Sequence, residues 1–330
     1  MDIKTKAFAC FNKNLDIRRN SSSGGIYFLL AREVIKQQGI VYAVCYDEKF
    51  EAIHREICTE DEIISSLGSK YIPSRLGDTF KKIKRNLLSG KWVLFVGTPC
   101  QCAGLQKYLC KDYDTLICVD FVCHGVPSRT AWRKYLSLIN SNNSLLGLNM
   151  RDKSSGWSKY QYSWNIQYNN KKDSIISQNR IPFMTGFTSN LYLRPSCYEC
   201  KFKGINRLTD ITLGDYWGVW DIQPEMDDNQ GTSLVLIHSE KGKNLFESIR
   251  NQIDVEEAFL EKAIQYNPSM ISSAVYTYRR DQFFEKLFSG ENFDQIIKEL
   301  TQQSFKNKLK SKGKQLIKKI VKREMNVFIF

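Results

Sequence analysis

The sequence predicts an α/β fold: a mixed sheet with flanking helices, an inserted antiparallel hairpin and a helical C-terminal region. Three observations carry this. Short apolar runs bounded by glycine or turn residues, at 40–46, 92–97 and 115–122, read as buried strands. Helical patterns separate them, and strand–helix alternation of this kind builds α/β cores. Residues 159–168 alternate aromatic and polar side chains, then Asn169-Asn170-Lys171 turns into 173–178, which is a hairpin pattern.

Each element follows from local chemistry. Residues 21–39 run from a Ser/Gly stretch into a helical pattern with Ile26, Leu29, Leu30, Val34 and Ile35 on one face, closed by Gly39. Residues 50–57 can pair with the strand at 40–46. Helical stretches occupy 60–67, 76–88 and 101–109, and Ser128 can cap a helix running to Ile139. Beyond the hairpin, 210–216 and 233–239 are further strands and 241–251 a helix. From Glu257 onward the pattern is mostly helical and free of cysteine.

A chain of 330 residues suits about two domains, and 42% apolar with 25% charged residues is ordinary for a protein that buries a core. No apolar run reaches the roughly 20 residues of a membrane span and no signal-peptide pattern opens the chain, so a cytoplasmic location is expected. Thiols stay reduced there, so the ten cysteines argue against a disulfide scaffold and for metal ligands plus small buried residues. The net charge of +13 is uneven: in residues 301–330 eight Lys and one Arg face Glu324 alone, which puts +8 on this tail. Phe305, Leu309, Leu316, Ile317, Ile320 and Val321 fall near one helical face of it. A basic amphipathic helix of this kind can lie on an anionic membrane surface or pack on the body. Nucleic acid is not an expected partner, because no aromatic–basic interleaving accompanies the charge.

Three cysteine-bearing segments stand far apart: Thr98-Pro99-Cys100-Gln101, Val122-Cys123-His124-Gly125 and Cys197-Tyr198-Glu199-Cys200. Thiolates gathered from separate segments hold iron–sulfur clusters, and four of them equally suit structural zinc. Arg194, Lys201 and Lys203 flank the Cys197-x-x-Cys200 pair, and nearby cations favour thiolate. Cys10, Cys45, Cys58, Cys110 and Cys118 lie in apolar or strand-like surroundings and are expected in the core. Ser21-Ser22-Ser23-Gly24-Gly25 immediately precedes an apolar helix, where hydroxyls and N–H groups make either an anion site or an ordinary capped helix start. Gly97-Thr98 lies between a buried strand and a helix, where α/β folds place ligands. His124, next to Cys123, can hydrogen-bond a cluster or a flavin, or be structural. Asp215 stands with Tyr216 and Trp217 at a strand end, a functional position unless the rings serve core packing.

In this order the segments resemble the coenzyme F420 hydrogenase/dehydrogenase beta-subunit family. The matching residues include Arg19-Asn20 before the serine–glycine turn, Gly68-Ser69-Lys70-Tyr71, Leu94-Phe95-Val96 leading into Gly97–Gln101, and Val119-Asp120-Phe121 leading into Val122–Ser128. They continue with Arg151-Asp152-Lys153, Gly156-Trp157, Arg194-Pro195-Ser196 before Cys197, and Asp210-Ile211-Thr212-Leu213-Gly214 before Asp215-Tyr216-Trp217-Gly218. The likeness covers about residues 7–240 and points to the branch found with bacterial surface-polysaccharide genes. It implies one FAD, one 4Fe-4S cluster and electron transfer between two-electron and one-electron carriers. Cys100, Cys123, Cys197 and Cys200 become the cluster ligands. Ser22, Ser23, Gly24, Gly25, Ser69, Lys70, Tyr71, Gly97 and Thr98 become flavin contacts, and His124 and Asp215 are the candidate catalytic residues.

The resemblance divides the chain into an FAD-binding part at 1–90, a cluster-bearing part at 91–255, a helical region at 256–300 and the basic tail at 301–330. Relatives in this branch often begin with a two-cluster ferredoxin domain. This sequence begins after that point, so a separate ferredoxin-like carrier is the expected partner, unless the true start lies upstream. Cys102 stands where relatives carry an aliphatic residue, and of the Cys100-x-Cys102 pair Cys100 is the expected ligand. The expected function is an oxidoreductase that passes electrons between a ferredoxin-like or deazaflavin-type carrier and an organic substrate, in surface-polysaccharide biosynthesis. The alternatives are a non-catalytic electron-transfer subunit of a larger redox complex and a zinc-stapled interaction protein.

Overall fold

The apolar runs become the parallel centre of an eight-stranded sheet in a computed structural model that describes residues 5–141, 144–169 and 172–302. The chain divides into the units Met1–Thr277 and Tyr278–Phe330. The first begins with β1 (Lys6–Asn12), α1 (Leu15–Asn20), α2 (Ile26–Lys36), β2 (Ile40–Tyr46), β3 (Ala52–Ile57), α3 (Glu60–Ser66), α4 (Thr79–Leu88), β4 (Val93–Val96), α5 (Pro99–Leu109), β5 (Leu116–Phe121) and α6 (Arg129–Ile139). It continues with β6 (Leu145–Asp152), β7 (Ser163–Tyr168), β8 (Ser174–Ser177), α7 (Pro182–Thr188), β9 (Ile211–Asp215), α8 (Val219–Ile222), β10 (Ser233–Ile237), α9 (Glu240–Ser248), β11 (Ile253–Glu257) and α10 (Leu260–Tyr266).

The large sheet has the order β11-β1-β10-β9-β5-β4-β2-β3. The β2–β4, β4–β5 and β5–β9 pairs are parallel, and antiparallel pairs extend the sheet on both sides. Parallel strands are covered on both faces, which is why they read as unbroken apolar runs. Here Ile26, Leu30 and Val34 of α2 and Phe246 of α9 cover one face, packing on Val41, Leu94, Ile117 and Val119. Ile83 and Leu87 of α4 with Leu105 and Leu109 of α5 cover the other, on Tyr42, Phe95 and Cys118. Strands β1–β3 precede residue 90 and the rest follow it, so 1–90 and 91–255 share one sheet.

The expected hairpin is β7–β8, and β6 adds to it to form a separate three-stranded antiparallel sheet. Its turn lies partly outside the described residues. In the second unit Phe283 of α11 (Arg279–Phe288) meets Phe293 of α12 (Phe293–Thr301) with ring centres 5.7 Å apart, and Lys286 reaches Glu299 at 3.2 Å. The helical region expected at 256–300 thus has members in both units. Of the basic tail, residues 303–330 lie outside the described residues. Among the described residues no helix is long and apolar enough to cross a membrane.

Cys10, Cys45 and Cys118 are buried as expected, whereas Cys58 and Cys110 are exposed. Cys58 falls just past the end of β3, and Cys110 caps the C-terminus of α5 with φ +59°, so both lie where the chain leaves the core.

Two buried histidines give the fold a pH signature. Burial lowers His54 and His238 from the usual 6.5 to about 4. His54 bonds the Val96 carbonyl through Nε2 at 3.1 Å, and among the described residues its buried Nδ1 has no hydrogen-bond partner. As pH falls, the unfolded chain takes up these protons near 6.5 and the folded chain only near 4, so stability is lost across that window. Between pH 7 and 5 each histidine should cost about 2 kcal/mol. Asp120, which burial raises to about 6, works in the opposite sense, so the informative quantity is a difference. His54→Gln should lose about 2 kcal/mol less than wild type between pH 7 and 5 in urea unfolding. Equal losses would contradict this.

Candidate functional site

Parallel strands leave their C-terminal ends side by side, the usual place for a ligand in such a sheet. Here β4 ends into Gly97-Thr98, β5 into Val122-Cys123-His124, and β9 in Asp215. A cavity of about 570 Å³ opens at these ends. Thr98 starts α5 with a reciprocal cap: its backbone N–H donates to Gln101 Oε1 at 3.0 Å, and Pro99 follows at a position where no N–H is needed.

Of the expected flavin contacts, Ser22, Ser23, Gly25, Ser69, Lys70, Tyr71, Gly97 and Thr98 line this cavity. The two loops from the N-terminal third lock together: the Ser69 N–H donates to Ser22 Oγ at 2.6 Å and the two hydroxyls pair at 2.8 Å. Gly24 has a different role. A Cβ there would come within 2.4 Å of the Cys10 carbonyl oxygen, so it is the glycine that lets the turn lie against β1. Gly25 has φ +79°, a backbone conformation that side chains resist, and it opens α2 without a side-chain cap. Lys70 does not extend into the cavity as a free cation: its Nζ donates to the carbonyls of Ser66, Leu67 and Gly68 at 3.0–3.1 Å, and burial lowers it to about 8.

The four cysteines form a second group beside the cavity. Cys123 is within electrostatic reach of Cys100, Cys197 and Cys200, and Cys197 of Cys100 and Cys200. Burial pushes the Cys123 thiol up to about 12, with Lys203 acting against it and the other thiols adding to it. As neutral thiols these side chains sit together without repulsion, and as thiolates they would need a cation among them. The Val126 N–H donates to Cys197 Sγ at 3.3 Å and Thr98 Oγ1 lies 3.1 Å from Cys100 Sγ. A Cβ at Gly125 would meet Leu193 at 2.8 Å, so glycine is what allows this loop to close on the Cys197 segment. Among the described residues no group of three or more His, Cys, Asp or Glu side chains is arranged to hold a metal ion. Cys102 points elsewhere: it is fully buried in the core under β4 and β5, with Gly97 and Val119 carbonyls 3.9 and 3.8 Å from its sulfur, while Cys100 is exposed.

His124 and Asp215 both line the cavity, and both are engaged. His124 Nε2 pairs with Asn190 Oδ1 at 2.8 Å and Nδ1 lies 3.4 Å from Ser269 Oγ; burial lowers its pKa and keeps the ring neutral. Asn190 also donates to the Val275 carbonyl, and its own carbonyl accepts from Tyr198 Oη at 2.7 Å, so the pair ties the Cys123 loop to the Cys197–Cys200 segment. Asp215 grips Arg151 with both oxygens, at 3.0 and 3.1 Å.

Arg151, Lys153 and Asn190 are site residues to which sequence reasoning gave no role. Arg151 is 2% exposed, donates to Tyr71 Oη and the Ser22 carbonyl, and lies 4.0 Å over the Tyr162 ring. Lys203, expected only as a neighbouring cation, also donates to the carbonyls of Cys123 and Ser269. The available signal was Arg151 and Lys153 two residues apart, which puts both on one face of a strand. Arg151 lies in β6, which has register shifts on both sides of Leu148 and does not read as a strand, and Lys153 falls one residue past its end.

The family model for the C terminus of the coenzyme F420 hydrogenase/dehydrogenase beta subunit matches residues 90–262. The chain belongs to this family. Membership gives this beta-subunit relative a redox role, and the matched region contains all four candidate ligand cysteines together with His124 and Asp215. Among solved structures it is similar to a chain of the F420-reducing nickel–iron hydrogenase complex from Methanosarcina barkeri. The TM-score is 0.53 at 14% identity, covering 86% of this chain and 93% of that one, a likeness of fold. No curated protein matches the chain.

Proposed function

We propose that the protein is an oxidoreductase holding one FAD and one 4Fe-4S cluster, which passes electrons between a ferredoxin-like or deazaflavin-type carrier and an organic substrate. The observation that carries this is Cys123: it belongs to the group of four thiols and also lines the cavity, so a ligand in the cavity lies against the thiol site. The chemistry of the residues suits both groups, and the four thiols lie within electrostatic reach of one another without being arranged as metal ligands. The cavity volume falls within the range of small-molecule sites. Its wall supplies the serine–glycine turn, the Gly97-Thr98 turn and the buried Arg151, whose Nε has no hydrogen-bond partner among the described residues. Cys100, Cys123, Cys197 and Cys200 would hold the cluster. When bound, FAD exchanges a hydride with a two-electron partner and single electrons with iron–sulfur.

The chain's own residues orient, shield and polarise. Arg151, clamped by Asp215 and Tyr71, fixes the Ser22 carbonyl. Neutral His124 and Asn190 fix the loop between cavity and thiols, and Lys203 places a cation beside Cys123, Cys197 and Cys200. A ferredoxin-like protein is the proposed carrier, the deazaflavin-type carrier the alternative, and the resemblance points to a substrate in surface-polysaccharide biosynthesis. A reading as an electron-transfer subunit finds support in the similar chain belonging to a hydrogenase complex. Protein purified without oxygen should show flavin bands, a broad iron–sulfur shoulder and about four irons and four sulfides per chain. Colourless protein would overturn the proposal. Turnover by the isolated chain separates the enzyme from the subunit.

A further inference from the structure

Lys153 is 9% exposed, and burial together with Arg151 and Arg18 lowers it to about 7. Keeping a cation there is costly, and a methionine of similar length would fit the site more cheaply. What the ammonium does is collect carbonyls: Arg18, Ser23 and Gln230 all accept from Nζ, the last two at 2.7 Å. Beside it the Ser22 carbonyl accepts from Arg151 Nη2 at 2.8 Å and from Trp157 Nε1 at 3.2 Å, and the Gly24 carbonyl accepts from the Asn12 N–H at 2.7 Å. Three consecutive carbonyls of the serine–glycine turn are thus drawn into the protein, and the Gly24 N–H, across the peptide from the Ser23 carbonyl, is itself held inside by Ser233 Oγ at 2.9 Å. In a trans peptide the C=O and N–H point in opposite directions, so pulling in the Ser22 carbonyl turns the Ser23 N–H away from Arg151 and Trp157. The turn leads straight into the eleven-residue α2, whose first N–H groups have no side-chain cap and whose Ile26 and Tyr27 line the cavity. Gly231 completes the arrangement: a Cβ there would lie 2.8 Å from the Ser23 carbonyl oxygen and 3.0 Å from Lys153 Nζ. Lys153 itself stands behind the turn, outside the cavity wall.

We propose that Lys153 is a positioning residue: by holding the Ser23 and Arg18 carbonyls from behind, it sets the serine–glycine turn so that the Ser23 N–H and the first N–H groups of α2 face the diphosphate of a flavin dinucleotide. This rests on the flavin reading above and adds that phosphate recognition depends on a residue that does not touch the ligand. The experiment compares FAD with riboflavin, which shares the ring system and has no phosphate, by fluorescence titration of the full chain. Lys153→Met should weaken FAD binding about tenfold, the loss of one charge-assisted contact at the phosphate, and change riboflavin binding less than about twofold. Lys153→Arg should restore most of the preference. Equal loss of both flavins would mean that Lys153 only holds the fold, and an unchanged FAD affinity would mean that the turn needs no such support; either overturns the proposal. Should Lys153→Met not fold, Lys153→Gln, which keeps a neutral donor, must show the same fall in the FAD-to-riboflavin ratio. Wild-type protein that binds neither flavin defeats the flavin reading itself, and a wild type that binds FAD with no effect of Lys153 defeats this proposal alone.

Discussion

Cys197→Ser protein is expected to purify folded, with flavin but with less than about one iron per chain where wild type carries about four. A serine hydroxyl is far less acidic than a thiol and its hard oxygen binds cluster iron much more weakly than thiolate does. The same change at Cys45 should leave iron at the wild-type level. Cys45 is 2% exposed in the core against α2, with Ser65 Oγ 3.6 Å from its sulfur, and burying a hydroxyl there costs about 1–3 kcal/mol of stability and nothing in ligation. Flavin should survive loss of the cluster, because Cys123 is the one thiol of the four in the cavity wall. The pair Cys100→Ser and Cys102→Ser extends the test. Cys102 has no exposure and its sulfur is packed among the Cys118 thiol and the Gly97 and Val119 carbonyls inside the core, whereas Cys100 is exposed, so only Cys100→Ser should lose iron. Iron, sulfide and flavin analysis with absorption spectra reads all four variants, and wild-type iron in Cys197→Ser would overturn the ligand set.

How much of this was legible in the sequence depends on where each residue's partners lie. β2 and β4 were legible because burial on both faces leaves an unbroken apolar signature, and β5 because only Asp120 interrupts one; β9, with Thr212, Gly214 and Asp215 in five residues, carries the signature weakly. The hairpin was legible from period-two alternation. β11 was not: Ile253-Asp254-Val255-Glu256-Glu257 sits at the sheet edge with only Ile253 buried, and edge strands carry charge to prevent pairing. β6 was not, because Gly147 and its register shifts break the alternation. At the site, glycines, serines and cysteines announce themselves through their own chemistry. Buried cations do not. Lys153 finds its acceptors 77 to 135 residues away, on backbone carbonyls that any residue type would supply. Gly24 was legible as important, but its reason, contact with β1, needed the strand that the pattern missed.

Asp215→Ala should destabilise the first unit by about 3–5 kcal/mol, because it leaves the buried guanidinium of Arg151 without its counter-charge. Burial alone would lower the pKa of Arg151; Asp215 and the tyrosines outweigh it and hold the group charged. The Arg151 side chain is 1% exposed, so water cannot take over from the carboxylate. The rings of Tyr162 and Trp217, 4.0 and 5.2 Å from the guanidinium carbon, offset part of the loss, which places the expected value toward the lower end of that range. Arg151→Met in the same background should recover part of it, since the double variant no longer buries an unpaired charge, and the coupling from the four-variant cycle measures the pair. A purely chemical role for Asp215 makes the opposite prediction: Asp215→Ala as stable as wild type in urea unfolding and impaired only in turnover. The geometry favours the structural outcome, because both carboxylate oxygens are already committed to one guanidinium that also anchors Ser22 and Tyr71. In that arrangement the strand-end carboxylate serves the redox site by fixing Arg151, and through it the turn on which the proposed flavin would rest.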